Sequence, residues 1–246
     1  MEGARPLAGC EHCALGGGYA LCVQRVPLFS TLSGEELAHV ASLIRHDHFE
    51  KGEALYREGD LLDSLLIIHH GSAKAVRLTP DGREQIMYLF STGDFLGESN
   101  LFGGHAATCT VEALEAVQVC AFTREAFRTL LYAYPGIAVK VIEELETRIA
   151  RLEDAMQTIG VRSVDGRVGA LLLGFAQKYG TATPEGTLIR LPLSREGLAN
   201  YLGIARETVS RKLGQLEAEG VIRAVGSRGI VLLKPTALAE AAGAVT

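Results

Sequence analysis

Residues 135–160, PGIAVKVIEELETRIARLEDAMQTIG, place apolar side chains at Ile142, Leu145, Ile149, Leu152, Met156 and Ile159, at alternating steps of three and four. That spacing is the a/d pattern of a coiled-coil seam. Charged residues, among them Glu144, Glu146, Arg148, Arg151 and Glu153, fill the positions between. At about 1.5 Å of rise per residue, the stretch from Ile142 to Ile159 makes a rod of roughly 27 Å. A long core helix inside one domain would also carry an apolar stripe. The flanking sequence favours a dimer axis, because short strand-like runs precede the helix and a helix-turn-helix pattern follows it. No seam position from Ile142 to Ile159 carries a charge, and Glu153 and Asp154, which flank the seam, can stay solvated and repel only modestly.

The chain has 246 residues and 48% hydrophobic content, enough for one large domain or two ordinary ones. No run of eighteen apolar residues occurs, and residues 1–20 lack a basic start followed by an apolar core. The expectation is a cytoplasmic protein that neither spans a membrane nor carries a signal peptide. The net charge of −5 argues against nucleic-acid binding only as an average over the whole chain.

Working outward towards the N-terminus, CEHCALGGGYALC puts Cys10, Cys13 and Cys22 close together. Clustered thiols in a cytosolic setting point to metal or redox chemistry rather than to disulfides. Three thiolates complete neither a tetrahedral zinc site nor a four-iron cluster, so a fourth ligand is required. His12 is local, and Cys109 and Cys120 are the distant candidates. Zinc, an iron–sulfur cluster and a metal-free tail all remain open at this point.

One helical stretch is expected from Phe29 to about Arg45. Beyond it, Gly52, Gly59, Gly71, Gly82, Gly93 and Gly97 separate short β-rich runs such as SLLIIHH, AKAVRLT and EQIMYLF. Turn residues at that spacing predict a jelly-roll-like barrel, with a hairpin tip at Asp81-Gly82. Cys120 falls in a late strand, where a buried cysteine is ordinarily a small hydrophobe.

On the other side of the long helix, an amphipathic helix is expected over Val164–Tyr179. LIRLPLSREGLANYLGIARETVSRKLGQLEAEGVIRAVGSRGIVLL then reads as a winged helix-turn-helix. Its first helix spans Arg195–Leu202 and turns at Gly203. Its second runs from about Ala205 to Glu219 and is capped by Gly220. Val209, Leu213 and Leu216 share one face of that second helix, and Glu207, Ser210 and Arg211 the other. From Gly186 to Pro235 eight basic residues face four acidic ones, a local balance of +4 within a chain of −5.

The stretch SREGLANYLGIARETVSRKLGQLEAEGVI resembles the helix-turn-helix of the CRP/FNR family of bacterial transcription regulators. The barrel, the GDFLGE segment (Gly93–Glu98), the dimer helix and the wing follow that family's order from about Pro27 to Leu233. The implied fold class is α+β. It comprises a cysteine-rich tail (1–25), a jelly-roll β-barrel sensor domain (26–134), a dimerisation helix (135–160) and a winged helix-turn-helix domain (161–246). The clustered N-terminal cysteines, with a lone one in VQVC, resemble the oxygen-sensing FNR branch. That resemblance implies an oxygen-labile [4Fe–4S] cluster on Cys10, Cys13, Cys22 and Cys120, with Cys109 left over. One departure is the separation of Cys13 from Cys22 by eight residues, longer than in the best-known members.

Other ligands can be weighed on the same residues. Cyclic-nucleotide binders of this family follow the Gly-Glu of the barrel, here Gly97-Glu98, with an arginine that neutralises the phosphate. Here no Lys or Arg occurs between Arg83 and Arg124, so cyclic nucleotide is not expected. Haem would need an axial histidine, for which His46, His48, His69, His70 and His105 are the candidates. No nucleophile–base pair or phosphate loop suggests an enzyme.

The expected partners are therefore double-stranded DNA, a second copy of the chain and RNA polymerase, the last with the Asp81-Gly82-Arg83 tip as its candidate surface. On DNA, Arg211 can donate to guanine O6 and N7, Glu207 can accept from cytosine N4, and Ser210 can reach a thymine methyl. Arg206 and Lys212 stand beside them on the same helix. By resemblance, this Glu-x-x-Ser-Arg pattern reads TTGAT-type half-sites.

Overall fold

The computed structural model describes residues 26–98, 104–161 and 163–242, with backbone only at 151 and 154–161 of the long helix. Two compact units divide the chain. One holds residues up to 79 together with 86–147, and the other holds 80–85 together with 148 onward.

In the first unit the strands are β1 (Arg45–Phe49), β2 (Ala54–Tyr56), β3 (Ser64–His70), β4 (Ser72–Leu78), β5 (Glu84–Ser91), β6 (Phe95–Leu96), β7 (Thr110–Ala113) and β8 (Val117–Thr123). They form two four-stranded sheets, β1-β8-β3-β6 and β2-β7-β4-β5. Each sheet draws strands from both ends of the segment, which is the jelly-roll arrangement expected from the glycine spacing.

Strand β8 shows why both faces of the first sheet are apolar. Val117, Val119 and Ala121 point into the space between the sheets, with Leu66, Ile68 and Phe90. Cys120 and Phe122 point the other way, into a second cluster with Phe29, Phe127, Ile137 and Val141. Alternation at period two sends successive side chains to opposite faces. A strand covered on both sides therefore reads as a continuous apolar run rather than an alternating one.

The second cluster is roofed by helices. Pro27–Phe29 makes a short 3-10 turn, and α1 spans Gly34–Ser42. The single helix expected from Phe29 to Arg45 is thus a 3-10 turn, a separate helix and a strand. The reason is local at one end: the Ser33 hydroxyl accepts from Glu36 N–H, and the Glu36 carboxylate accepts from Ser33 N–H at 2.7 Å. This reciprocal capping box starts a new helix. At the other end the reason is long-range, since β1 (RHDHF) is held by pairing along β8, from Arg45 with Ala121 to Phe49 with Val117. Helix α2 (Arg124–Ala133) is capped by Thr123, and α3 (Pro135–Val161) follows after Tyr134. Ile137 and Val141 of α3 are buried in the helix-covered cluster and Leu145 packs on it half-buried.

The second unit contains α4 (Val164–Tyr179), β9 (Gly180–Thr183), β10 (Gly186–Arg190), α5 (Arg195–Leu202), α6 (Arg206–Ala218), β11 (Ile222–Val225), β12 (Gly229–Leu232) and α7 (Pro235–Ala241). Its sheet runs β11-β12-β10-β9. Helices α5 and α6 coincide with the sequence expectation, as does the wing hairpin. The small hairpin of β9 and β10 was not anticipated. Among the described residues, no helix is long and apolar enough to cross a membrane.

Gly71 turns the chain between β3 and β4 at φ +90°, and a Cβ there would lie 2.4 Å from the Ala116 carbonyl oxygen. Gly59 has the same φ of +90° with nothing within 4 Å of its Cβ position. Gly59→Ala should cost about 1 kcal/mol from backbone conformation alone. Gly71→Ala should cost more, about 1–3 kcal/mol beyond that, because backbone must move. Urea denaturation of the two variants side by side measures the difference.

Candidate nucleic-acid interface and thiol site

The two helices of the turn are set by short-range signals. The Ser194 hydroxyl accepts from Gly197 N–H at 3.1 Å and caps α5. Gly203 ends that helix in the left-handed region at φ +65°, where a side chain would be strained. The Arg167 guanidinium donates to the Leu202 carbonyl at 3.0 Å, satisfying a helix-end acceptor. Sequence reading missed this contact, which joins residues far apart in the chain.

Helix α6 buries Val209 and Leu213 and half-buries Leu216. Arg206, Glu207, Ser210 and Arg211 all stand exposed on its other side. The face is therefore polar, basic at both ends, and able to donate and accept. Lys212 behaves differently. Its ammonium lies 2.6 Å from the Asp165 carboxylate and 3.4 Å from Gln215 Oε1, with its side chain only 20% exposed. The pair ties α6 to α4 rather than extending outward. Glu217, likewise, accepts from Ala224 N–H at 2.9 Å and fastens α6 to β11. In the wing, Arg223 is paired with Glu185, and Arg228 is exposed at the tip.

In the first unit, Cys120 is completely buried. Its Sγ lies 3.9 Å from His46 Nδ1, across the β1–β8 register that pairs these two residues. His69 joins them from β3. The ligand atoms of His46, His69 and Cys120 all lie within 4.8 Å of one another. The register of β3 shifts between Ile68 and His70, so two residues, His69 and His70, stand opposite Gln118. Such a bulge re-aims a side chain at the end of a ladder. Burial pushes the His46 imidazole below the usual histidine range, with Asp47 pulling weakly the other way. Of the other histidines considered as ligands, His48, His70 and His105 are exposed.

Cys109 lies elsewhere, packed half-buried against the cluster between the sheets. Burial raises its thiol above the usual range, and Glu58 and Glu98 raise it further. The remaining sequence candidates, Cys10, Cys13 and Cys22, lie outside the described residues. In the seam, Ile142, Ile149 and Leu152 are exposed by 65%, 57% and 47%, while the side chains of Met156 and Ile159 fall outside the described residues.

Comparison with known proteins agrees with this architecture. Residues 46–134 match the cyclic nucleotide-binding domain, and residues 166–241 match the Crp-like helix-turn-helix domain. The nitrogen fixation regulation protein FixK of Bradyrhizobium diazoefficiens is 34% identical over 96% of this chain and 94% of its own. The fumarate and nitrate reduction regulatory protein of Escherichia coli K12 is 28% identical over 95% of this chain and 90% of its own. Among solved structures, FixK2 from Bradyrhizobium japonicum superposes with a TM-score of 0.73 at 27% identity, covering 82% of this chain and 99% of that one. The chain belongs to the CRP/FNR family of transcription regulators. Regulators of this kind bind DNA and act as dimers.

The raised Cys109 thiol has a direct test. Removing a carboxylate lowers the thiol pKa and increases its thiolate fraction, so Glu58→Gln should speed alkylation of Cys109 by iodoacetamide at neutral pH. The gain should stay below about tenfold, which would need a whole pKa unit. Peptide mapping by mass spectrometry reads the rate at this cysteine alone.

Proposed function

We propose that this protein is an oxygen-responsive transcription regulator. In this reading it binds palindromic TTGAT-type sites as a homodimer, under control of a [4Fe–4S] cluster held by Cys10, Cys13, Cys22 and Cys120. The observation that carries the sensing half is the position of Val26. It is buried in the same cluster of side chains as Cys120. Three residues separate it from Cys22, four steps of chain with a reach of at most roughly 14 Å. The tail thus begins beside the strand that bears the fourth thiol, and a four-thiol donor set fits iron–sulfur chemistry. When bound, such a cluster supplies oxygen-labile iron–thiolate bonds. Cys120 lies on the face of β8 covered by Ile137 and Val141 of α3, in the cluster that also holds Val26.

The seam supports the dimer. Ile142, Ile149 and Leu152 stand exposed in the single chain, and burying each against a second copy is worth on the order of 1.5–3 kcal/mol, offset by the entropy of association. Leu145 serves the seam from one side while resting on its own core. The paired reading heads then fall about one DNA turn apart, ~34 Å. Arg206, Glu207, Ser210 and Arg211 are the side chains placed to touch DNA, and Lys212 holds α6 in position through Asp165. A cyclic nucleotide is not the signal in this reading. The space between the sheets is filled by apolar side chains such as Leu66, Ile68 and Phe90, and no cation lies between Arg83 and Arg124. The exposed turn where Arg83 pairs with Asp81 at 2.5 Å is the surface assigned to RNA polymerase.

Anaerobic reconstitution with iron and sulfide, followed by visible spectroscopy, tests the cofactor. Serine at Cys10, Cys13, Cys22 or Cys120 should each abolish the brown absorbance, because a hydroxyl is a poor soft-metal ligand. Cys109→Ser should keep it. A cluster that survives Cys120→Ser would remove the fourth ligand from this reading.

Base reading is tested separately. Arg211→Ala should weaken binding by roughly 1–3 kcal/mol per half-site and relax selection at the guanine. Competition between matched and guanine-substituted operators measures both. Retained sequence preference would sink the assignment.

A further inference from the structure

Beyond that reading, we infer that His46, His69 and Cys120 form a binding site for a single thiophilic divalent cation, of which zinc is the fitting example, and that this site shares Cys120 with the proposed cluster. The three residues come from adjacent, hydrogen-bonded strands, β1, β3 and β8, so the sheet itself fixes their spacing. In a tetrahedral zinc site, Zn–N bonds of about 2.0–2.1 Å and a Zn–S bond of about 2.3 Å set the ligand atoms roughly 3.4–3.7 Å apart. Here Sγ and Nδ1 of His46 are 3.9 Å apart, and the three ligand atoms lie within 4.8 Å of one another. Small side-chain rotations close the difference without backbone movement.

The donor types agree with the geometry. One thiolate and two imidazoles make a soft site that suits zinc rather than magnesium or calcium. The imidazoles are half-buried and the thiol fully buried, so the site is shielded on its core side and approached from the histidine side. Water completes a fourth position. The β-bulge at His69 has a use in this arrangement, since it falls at the residue that supplies the third ligand.

Cys120 is shared with the cluster proposed above, so the two occupants exclude each other. That exclusion rests on the cluster reading, whereas the zinc site does not. A chain whose cluster has been lost would hold Cys120 on zinc, and anaerobic cluster assembly would then require the zinc to leave.

Cobalt reports the site optically. The full chain carrying Cys10→Ser, Cys13→Ser and Cys22→Ser, freed of metal and titrated with Co2+, should show thiolate-to-cobalt charge transfer in the near ultraviolet. It should also show visible bands of tetrahedral intensity, displaced by Zn2+ and untouched by Mg2+. Cys120→Ser in that background should abolish the charge transfer. His46→Ala and His69→Ala should each weaken cobalt binding by more than about tenfold. The two histidines sit on different strands, so a folding fault in one variant, read by far-ultraviolet circular dichroism, leaves the other to decide.

Absence of the bands, or their survival in a folded histidine variant, overturns the site. In the chain with all five cysteines, the histidine variants should still form the brown cluster, and zinc loaded beforehand should slow its assembly only when both histidines are present. If the histidine variants lose the cluster, the imidazoles serve the cluster and the separate zinc site is overturned. If cobalt binds but no variant, nor the unaltered chain, forms a cluster, the cluster reading fails and the zinc site stands.

Discussion

Strand β8 must be apolar on both faces, and the barrel unit of the molecule is arranged around that requirement. It lies between β1 and β3 in its sheet, so its backbone hydrogen bonds are made on both edges. Its odd-numbered residues fill the space between the sheets, and Cys120 and Phe122 fill the layer under the helices. Phe122 alone contacts Phe29 and Phe127, with ring centroids 5.8 and 5.7 Å away. A thiol in that setting has apolar neighbours on nearly every side. Among the described residues, His46 and His69 bring ring nitrogens within 4.8 Å of its sulfur.

How legible each part was in the sequence follows from how far apart its determinants lie. The boundaries of α5 and α6 could be read residue by residue, because Ser194, Gly203 and Gly220 are local stop and start signals that need no tertiary partner. The glycine-spaced runs gave the barrel for a similar reason. Strand β1 was hidden, since RHDHF carries little strand propensity and exists by pairing with residues 68 to 76 positions away. The capping box at Ser33 and Glu36 was in plain view and would have split the expected helix had it been weighed. The trio of His46, His69 and Cys120 could not be found by spacing. It depends on the register of three strands and on a one-residue shift in one of them.

Charge on the DNA-binding module also sorted itself in a way composition could not show. The local excess of basic residues suggests a uniformly positive face. In the structure, Lys212 is matched by Asp165 and Arg223 by Glu185, so these cations serve the packing of the unit. Exposed basic residues of the unit include Arg206 and Arg211 of α6, Arg228 at the wing tip, and Arg190 and Lys234 outside the turn. Phosphate contacts position a protein on DNA while base contacts specify the site.

The long helix links the two halves of the proposed mechanism by simple geometry. Val141 is buried in the layer that holds Cys120, and Leu145 packs against it one turn later. Ile142, the neighbour of Val141, points away and is 65% exposed. Residues three and four apart share a helix face, while adjacent ones are turned about 100° from each other. One rigid helix thus presents its core-facing stripe to the thiol layer and its seam stripe to a second copy within the same turns. Packed cores have discrete arrangements rather than continuous ones. In the mechanism proposed above, a repacking of the layer around Cys120 would reach the seam through Val141 and Leu145, which lie on the same helix as Ile142.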